Sequence, residues 1–423
     1  MNEQLNTHFP RYTRFDPPVP IWCVTPASER TIHRFFDTSP FSPSGRYLGL
    51  TRLASERRLP EPGDVADVVL VDLRTGEQRA VAETRGADTQ LGAQVQWGAT
   101  DAELYFNDVD PGDWRPFGVR MDPRTGERRE LEGTIYMVSP DGALAVSACL
   151  RRTARTQAGY GVIVPPEHVP VNQGAPDDDG VFVTDTRTGE CRMVASIRKI
   201  VEAALDPSRW RGGDFYCFHT KFNAPGDRIM LVLRFVPRDS SAMRPQLVTM
   251  TADGEDIRLA IPASEWADKG GHHPTWCPDG EHVMMNLRPG GPGTDMKLVR
   301  ARWDGSGLEP MAGKIVGSGH PSLHADGRHV VTDEYQRGRF AFEDGTVPIR
   351  WIDLAAGNET QLARIRTRPD WAGPRNELRV DPHPAWDRGW RHVAFNAWRG
   401  DAGTRGVFVA DVSELLGASP GGP

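Results

Sequence analysis

The sequence predicts an all-β protein, a seven-bladed β-propeller of four-stranded blades whose ring is closed by an N-terminal strand. Three observations support this prediction. A hairpin motif with a tight turn recurs seven times along the 423 residues. Further pairs of alternating apolar strands follow these hairpins. The last repeat is short by one strand, which would leave an open sheet edge unless another segment fills it. Repeats of a four-stranded unit at this spacing are typical of propellers.

The recurring hairpin is clearest in GHHPTWCPDGEHVMMNLR, residues 271–288. Two apolar runs flank the turn Pro278-Asp279-Gly280. Proline fixes φ for a turn, and Asp-Gly tolerates the positive φ of a tight reversal. Each copy has an anchor residue, usually bulky, before its turn. The seven anchor residues are Phe41, Trp97, Val138, Phe222, Trp276, Leu323 and Trp386.

The second strand pair of a repeat is clearest in VADVVLVDLRTGEQRAVAE and GVFVTDTRTGECRMVAS. Both alternate apolar and polar residues around a glycine-containing turn, as half-buried strands do. After the seventh hairpin only RGVFVADVS remains, so one outer strand is missing. The apolar segment VPIWCVTP, residues 19–26, is the natural donor, and we predict that it closes the ring.

We expect residues 1–423 to form a single propeller domain with an insertion at about 151–210 in blade three. The first part of this insertion is polar and rich in proline, and loops of this length are usually functional or disordered. Gly159 and Gly161 flank Tyr160, which would let the backbone turn sharply and present the phenol. The run SIRKIVEAALDPSRW has apolar residues at helical spacing and predicts a short helix before blade four.

Composition narrows the class of protein. The net charge of −7 argues against a nucleic-acid partner. The five cysteines have no paired spacing, so no disulfide framework is expected. No N-terminal apolar run and no stretch of membrane length is present, so we expect a soluble cytoplasmic protein without a membrane partner. A monomer or a small homo-oligomer is expected.

Histidines occupy equivalent positions in successive repeats. Three residues before the anchor, the last four blades carry His219, His273, His320 and His383. Inner strands converge on the propeller axis, so these side chains should lie in one ring at one depth. We predict that they bind one divalent metal ion, Zn, Mn or Ca. Two alternatives stay open: the histidines belong to the repeat architecture, or they form a metal-free catalytic or substrate-binding ring.

The ends of the second hairpin strands should surround these histidines. Arg234 and Arg288 lie at two such ends and can bind a carboxylate through two parallel hydrogen bonds. His272 adjoins the ring and could face the same cleft. The residues predicted to bind substrate at this face are Gln94, Arg152, Asp333, Tyr335 and Arg399. Several arginines at one rim favour an anionic ligand.

The hairpins that read HPxxxxDGR resemble the repeats of TolB-type propellers. Their histidine-rich form resembles the propeller polysaccharide lyases, which are the oligogalacturonate, ulvan and rhamnose-glucuronate lyases. GHPSLHADGRHVVTDEY and RRTARTQAGYGV are most similar to the ulvan-lyase branch. This resemblance implies β-elimination on a uronic-acid glycan, a metal near the ring, and His and Tyr at the catalytic centre. Through its Gly-Tyr-Gly context, Tyr160 matches the family's catalytic tyrosine.

Blade two departs from that pattern. The family's histidines there are replaced in this chain by Gln90, Gln94, Asn107 and Asp108. The departure leaves the identity of the catalytic base open, and it favours the alternative of a non-catalytic TolB-like propeller that binds a protein or a carbohydrate.

A site that catalyses β-elimination needs a cation, a base and an acid. The proton α to a uronate carboxylate is barely acidic, so Arg or a metal must first neutralise the carboxylate. A base then removes the proton, and an acid protonates the leaving glycosidic oxygen. The sequence therefore predicts a carbon–oxygen lyase acting on an anionic oligo- or polysaccharide. The predicted catalytic residues are Tyr160, His272, Arg234 and Arg288. A hydrolase or an epimerase that uses the same ring is a further alternative.

Overall fold

The computed structural model describes residues 1–26 and 29–417 and shows seven four-stranded antiparallel sheets. Each sheet is one blade of a propeller, as predicted. All five cysteines lie in the described residues and are free thiols. Within the described ranges, no helix is long and apolar enough to cross a membrane.

The strands follow the chain from blade to blade, and four helices lie between or outside the sheets. The first strand, β1 (Ile21–Cys23), belongs to the last blade. Blades one and two contain β2 (Thr31–Ile32), β3 (Tyr47–Arg52), β4 (Ala66–Asp72), β5 (Gln78–Thr84), β6 (Gln96–Trp97), β7 (Leu104–Asp110), β8 (Arg115–Met121) and β9 (Arg128–Leu131). Blades three and four contain β10 (Met137–Val138), β11 (Leu144–Ser147), β12 (Gly180–Asp185), β13 (Cys191–Ser196), β14 (Gly213–Phe222), β15 (Arg228–Pro237), β16 (Arg244–Thr251) and β17 (Arg258–Ile261). Blades five and six contain β18 (Gly271–Trp276), β19 (His282–Leu287), β20 (Lys297–Arg302), β21 (Glu309–Pro310), β22 (Ser322–Leu323), β23 (His329–Thr332), β24 (Thr346–Asp353) and β25 (Asn358–Arg366). Blade seven adds β26 (Ala385–Trp386), β27 (His392–Arg399) and β28 (Thr404–Asp411). The helices are α1 (Asn2–His8), α2 (Leu150–Thr153), α3 (Ile197–Ala204) and α4 (Ser413–Gly417), with 3₁₀ turns at Pro166–His168 and Pro207–Arg209.

Strand β1 closes the ring. It pairs antiparallel with β28, so that Ile21 lies opposite Ala410, and it supplies the fourth strand of blade seven. Because successive residues of a strand point to opposite faces, Ile21 packs in the core of blades six and seven while Trp22 packs against Leu48 and other residues of blade one. Both side chains are fully buried. The N-terminal segment predicted to close the ring therefore does so, over residues 21–23.

The tryptophan anchors join neighbouring blades. The indole N–H of Trp97 donates to the carbonyl of Pro40 in blade one at 3.0 Å. Trp276 donates in the same way to Lys221 of blade four at 3.0 Å, and Trp386 to Ser322 of blade six at 3.2 Å. A buried indole N–H needs such an acceptor, so the anchor position recognised in the sequence is where one blade is fastened to the blade before it.

The inner strands bend at the positions of the aligned histidines. His219, His273 and His383 have left-handed backbones, with φ of 49°, 57° and 50°. Gln94 has the same conformation in blade two, with φ of 60°. The strand pairing shifts at this point in blades four and five, which is the mark of a β-bulge. Bulges re-aim side chains and occur next to functional sites. In this way the repeat places the same side-chain position towards the axis.

The blade-three insertion is packed against the ring. It is shorter than the predicted range of 151–210, because β12 and β13, which lie within that range, are regular strands of blade three. The inserted segment leaves after β11 and returns at β12, and the amide of Gly161 donates to Asp88 Oδ2 of blade two at 2.8 Å. The predicted short helix is α3. Its N-cap hydroxyl, Ser196 Oγ, accepts from the amide of Lys199 at 3.1 Å. On α3, Ile197 and Ile200 are fully buried.

Candidate active site

Residues 33–38, here called the axial plug, leave the inner edge of blade one and run through the centre of the ring. Arg34 Nε donates to Gln94 Oε1 of blade two at 2.7 Å. The plug also touches Tyr136, Lys221, His273, His320 and His383 from blades three to seven. A segment that meets all six other blades lies at the axis. The repeat pattern did not predict this plug, because its residues precede the first hairpin of the series.

Phe35 of the plug separates the aligned histidines. Its ring centroid lies 5.1 Å from that of His219 on one side, and 4.6 Å from that of His383 and 5.7 Å from that of His320 on the other. His219 is enclosed by aromatic rings, and burial lowers its pKa well below the usual value. The four imidazoles do not come together as predicted, because Phe35 packs against both His219 and His383 and no three-ligand group among the described residues includes His219.

His273 also lies outside the three-ligand groups found among the described residues. Its ring stacks on His320 with centroids 3.8 Å apart. Its Nδ1 lies 2.6 Å from the carbonyl of Gly319, and its Nε2 lies 3.1 Å from Tyr335 Oη. Both nitrogens therefore have hydrogen-bond partners. The four-histidine site reduces to His320 and His383, which the register identified correctly as neighbours.

A compact set of possible metal ligands remains at this place. His320, Asp381 and His383 each offer one ligand atom, these atoms lie within 4.8 Å of one another, and all three residues are buried. His320 Nδ1 lies 2.9 Å from Asp333 Oδ2, and its Nε2 has no hydrogen-bond partner among the described residues. A carboxylate behind a histidine in this way fixes which nitrogen can bind a metal. Two imidazoles and a carboxylate suit Mn, Fe or Zn.

Asp333 was predicted to contact substrate, and the structure gives it another position. It is 1% exposed and bonds to the amide and the ring of His320. Its role in the site is to orient His320. The carboxylate beside the metal ligands is instead Asp381, two residues before His383 in the run DPHPAW. The Asp-x-His spacing was the signal that could have identified it.

His272, His273 and Tyr335 form a row at the mouth of the site, and all three are half-buried. The carbonyl of Gly319 accepts from Nδ1–H of His273, so Nε2 keeps its lone pair and faces Tyr335 Oη. His272 Nδ1 accepts from Asn286 Nδ2 at 3.2 Å. Burial lowers the pKa of His272 to about 3 and that of His273 well below the usual value. Burial also raises the pKa of Tyr335 well above 10. At neutral pH the row therefore contains neutral imidazoles and a protonated phenol.

Tyr160 lies behind this row. It is 4% exposed, and its Oη accepts from Arg379 Nη2 at 3.3 Å. Arg379 Nε in turn donates to Asp381 Oδ2 at 2.8 Å. Tyr160 could act as a base at neutral pH only if a nearby cation lowered the pKa of its phenol, whereas the role of an acid needs no such shift. Burial raises this pKa more than the charge of Arg379 lowers it, so the phenol stays protonated.

The two predicted arginines differ in accessibility. Arg234 is buried under the insertion, where its Nη1 donates to Thr156 Oγ1 at 2.9 Å and its guanidinium lies 3.5 Å from the centre of the Phe218 ring. Burial lowers its pKa to about 9. Arg288 is half-buried beside His272, and its charge contributes to the lowered pKa of that histidine. Of the two, Arg288 is the one at the mouth of the site.

Three predicted substrate-binding residues have structural contacts instead. Gln94 is 2% exposed and accepts from Arg34. Arg152 is 8% exposed and faces Asp178 and Asp179, with its Nε 3.7 Å from Asp179 Oδ2. Arg399 Nη1 donates to the carbonyl of Thr25 at 2.8 Å and so holds the N-terminal segment. Only Tyr335 of the predicted substrate-binding group lies at the mouth of the site.

A cavity of about 650 Å³ opens beside Tyr335. The loops that flank β24 and β25 form it, and Arg379 and Asp381 lie at its inner wall. Its outer wall carries Trp371, which is 44% exposed. Three exposed arginines, Arg337, Arg368 and Arg375, also line it. An aromatic ring together with cationic side chains suits a charged sugar. These residues could not be predicted from the repeat, because they lie in loops outside it.

Comparison with known proteins supports the fold. The chain matches no protein-family profile and no curated protein. Among solved structures it is similar to an oligogalacturonate lyase in complex with manganese, with a TM-score of 0.68, 16% identity, and 96% of this chain and 97% of that chain covered. An oligogalacturonate lyase from Vibrio parahaemolyticus has a TM-score of 0.66 at 16% identity, with the same coverage. TolB from Acinetobacter baumannii has a TM-score of 0.39 at 13% identity, with 81% and 64% covered.

The two lyase structures show that this chain shares their overall fold. The manganese in one of them belongs to that protein. This chain has potential His/Asp metal-binding groups of its own. The similarity to the ulvan-lyase branch stays a prediction.

Proposed function

We propose that this protein is a metal-assisted lyase that cleaves a uronate-containing oligo- or polysaccharide by β-elimination. The observation that carries the proposal is the pair His273 Nε2 and Tyr335 Oη, 3.1 Å apart at the mouth of a cavity lined by cationic side chains. One member is an unprotonated base and the other a protonated acid, and the ring of His273 stacks on that of the potential ligand His320.

His273 is the proposed base. Its Nε2 lone pair would take the proton α to the uronate carboxylate, while Gly319 holds the other ring proton in place. Tyr335 is the proposed acid, since its raised pKa keeps the hydroxyl protonated until the glycosidic oxygen leaves. The proton gained by His273 can then pass across the 3.1 Å contact to the Tyr335 oxygen, which restores the starting state.

The negative charge that develops on the substrate carboxylate needs a cation nearby. Arg288 approaches from the His272 side, and Arg379 acts on Tyr335 from the cavity side. His320, Asp381 and His383 would hold a divalent metal, Mn or Zn fitting best. Such a metal supplies Lewis-acid stabilisation of the carboxylate. Tyr160 and Asp381 both bond to Arg379 and so orient its guanidinium.

The experiment that tests this function is an absorbance screen for unsaturated uronate. Purified protein loaded with Mn²⁺, Zn²⁺ or Ca²⁺ is incubated with several polyuronates that differ in their sugar. We expect product from at least one. His273→Ala and Tyr335→Phe should each lower kcat by about 10²–10⁴, the contribution of a general base or acid.

The matched control is His282→Ala. His282 lies in the same blade at the other end of the hairpin, where its Nδ1 contacts Asp279 at 2.8 Å, and its loss should leave turnover unchanged. If metal-loaded wild-type protein yields no unsaturated product from any polyuronate, the protein is better described as a non-catalytic propeller that binds a carbohydrate or a protein.

A further inference from the structure

A second convergence of metal-ligating side chains lies in the turn between β22 and β23 of blade six, at the far end of the hairpin from His320. The turn reads LHADGRH, residues 323–329. His324 Nδ1 lies 3.0 Å from Asp326 Oδ2, and His329 Nδ1 lies 2.7 Å from the same oxygen. The three ligand atoms lie within 4.8 Å of one another. His329 is buried, His324 half-buried and Asp326 exposed, so the group is open to solvent on one side.

The hydrogen bonds around His324 place the lone pair of its Nδ1 against an oxygen of the Asp326 carboxylate. Its Nε2 lies 3.1 Å from the carbonyl of Trp390 and must carry the proton that it donates. Its Nδ1 accepts from the amide of Asp326 at 3.1 Å, so that nitrogen has a lone pair rather than a proton. Yet the same nitrogen faces the Asp326 carboxylate at 3.0 Å. Two acceptors at this distance repel each other unless a cation lies between them.

Blade five provides an internal comparison. Its turn WCPDGEH has Asp279 and His282 at the spacing of Asp326 and His329, and their contact is 2.8 Å. At the position of His324 it carries Cys277, which is buried, and its side chains do not form a three-ligand group under the same distance limit among the described residues. The Asp–His contact therefore belongs to the repeat, whereas the third ligand is particular to blade six.

We propose that His324, Asp326 and His329 bind a divalent transition-metal ion, for which Zn²⁺ is the best match. Zinc takes imidazole and carboxylate ligands at about 2.0–2.2 Å, which places neighbouring ligand atoms roughly 3.3 Å apart in a tetrahedral site. The two nitrogen–carboxylate separations, 3.0 Å and 2.7 Å, need only small outward shifts to reach this. The exposed side of Asp326 leaves room for water to complete the coordination.

This site would link two blades. His324 Nε2–H donates to Trp390 of blade seven, and the ring of His324 packs against Trp386 of the same blade at 4.9 Å. A hydrogen bond from the second nitrogen of a ligating histidine fixes the ring and raises its affinity for the metal. Metal binding should therefore stiffen the junction between blades six and seven, and Zn²⁺ should raise the melting temperature of the protein.

The test is equilibrium dialysis of the full chain against Zn²⁺, with Co²⁺ absorption as a second readout of nitrogen and oxygen ligands. We expect Asp326→Asn and His324→Ala each to bind one equivalent less than the wild type, or to bind it with affinity lowered by more than about 100-fold. Asp279→Asn is the matched control, because it changes the equivalent carboxylate in blade five, and it should bind as many equivalents as the wild type.

The comparison is a difference between variants, so it does not depend on whether the axial residues His320, Asp381 and His383 also bind metal. Asp326→Asn changes one exposed side-chain atom and should retain the wild-type circular dichroism spectrum, which guards against loss of the fold. Equal stoichiometry and affinity in wild type, Asp326→Asn and His324→Ala would overturn the proposal. So would absence of Zn²⁺ binding to the wild type, since a proton on His324 would then be what relieves this repulsion between its Nδ1 and Asp326.

Discussion

Blades two and seven begin their inner strands with the same backbone conformation, but the side chains at that position differ in whether they have a hydrogen-bond partner. Gln94 and His383 have φ of 60° and 50° at equivalent positions. Gln94 is tied to Arg34 of the axial plug. Both ring nitrogens of His383 lack a hydrogen-bond partner in the described part of the chain. The repeat therefore determines where a side chain points, while its partner decides whether that side chain is structural or available for chemistry.

The axial plug reproduces this contrast in its own residues. Arg34 and Asp37 form a closed polar network with Gln94 and with Lys221 of blade four. Phe35, between them in the chain, faces the histidines. The polar side of the plug should therefore contribute to stability alone, and the aromatic side should contribute to stability and to the shape of the site.

The largest expected effect is on the polar side, from Lys221→Met. Lys221 is 1% exposed, and its Nζ lies 2.6 Å from Asp37 Oδ2. Burial alone would raise the pKa of Asp37, but Lys221 and Arg34 lower it overall. Loss of one partner of such a buried pair costs about 3–5 kcal/mol. Urea unfolding should show this loss, and Asp37→Asn added to Lys221→Met should recover part of it. An unchanged unfolding free energy would contradict the structural role.

Phe35→Ala should cost almost as much, about 3–5 kcal/mol, because a fully buried ring is replaced by a cavity. The same change removes the wall between His219 and His383. Chemical denaturation measures the stability. Phe41→Ala, also fully buried but remote from the histidines, is the control for cavity formation alone. Metal affinity should change in Phe35→Ala and not in Phe41→Ala.

The third effect depends on pH. His33 is fully buried beside Arg34 and His383, and burial, as the largest cause, lowers its pKa to about 3. In the unfolded chain His33 binds a proton near pH 6.5, whereas in the folded chain it stays neutral at that pH. Its contribution to the free energy of unfolding is therefore fully present above about pH 6.5, and it falls by about 1.4 kcal/mol per pH unit below that. His33→Leu should reduce the slope of unfolding free energy between pH 6 and pH 4 by that amount. Identical slopes in variant and wild type would contradict a lowered pKa of His33 in the folded protein.

The smallest effect separates two tyrosines. Tyr160→Phe removes one hydrogen bond to Arg379, at 3.3 Å, and should lower kcat/KM by about tenfold or less. Tyr335→Phe removes the proposed acid and should cost at least about 10². Steady-state kinetics on one confirmed substrate compares the two. If Tyr160→Phe loses more than Tyr335→Phe, the two assignments must be exchanged and Tyr160 is the catalytic residue that its Gly-Tyr-Gly context predicted.

Much of the fold could be predicted because it depends on local chemistry. Pro278-Asp279-Gly280 makes a turn wherever it occurs between apolar strands. The period of two in Ile21 and Trp22 sends one side chain to each of two cores, so a strand was expected at this place. The equivalence of His320 and His383 followed from counting along the repeat. Turn residues and alternating strand residues determine structure within a few positions of the chain. Because the same pattern occurs in every repeat, it is easy to recognise in the sequence.

Only the tertiary structure decided which of these side chains have a nitrogen free to bind a metal. Phe35 is about 180 residues from His219 in sequence, and nothing in either segment shows that the ring fills the space beside the imidazole. Gly319 and Tyr335 bind both nitrogens of His273, whereas those of His383 are left without partners. Asp381 reaches the ligand set from a loop outside the repeat. Availability of a nitrogen depends on long-range contacts made once, at the axis, and such contacts leave no periodic trace in the chain.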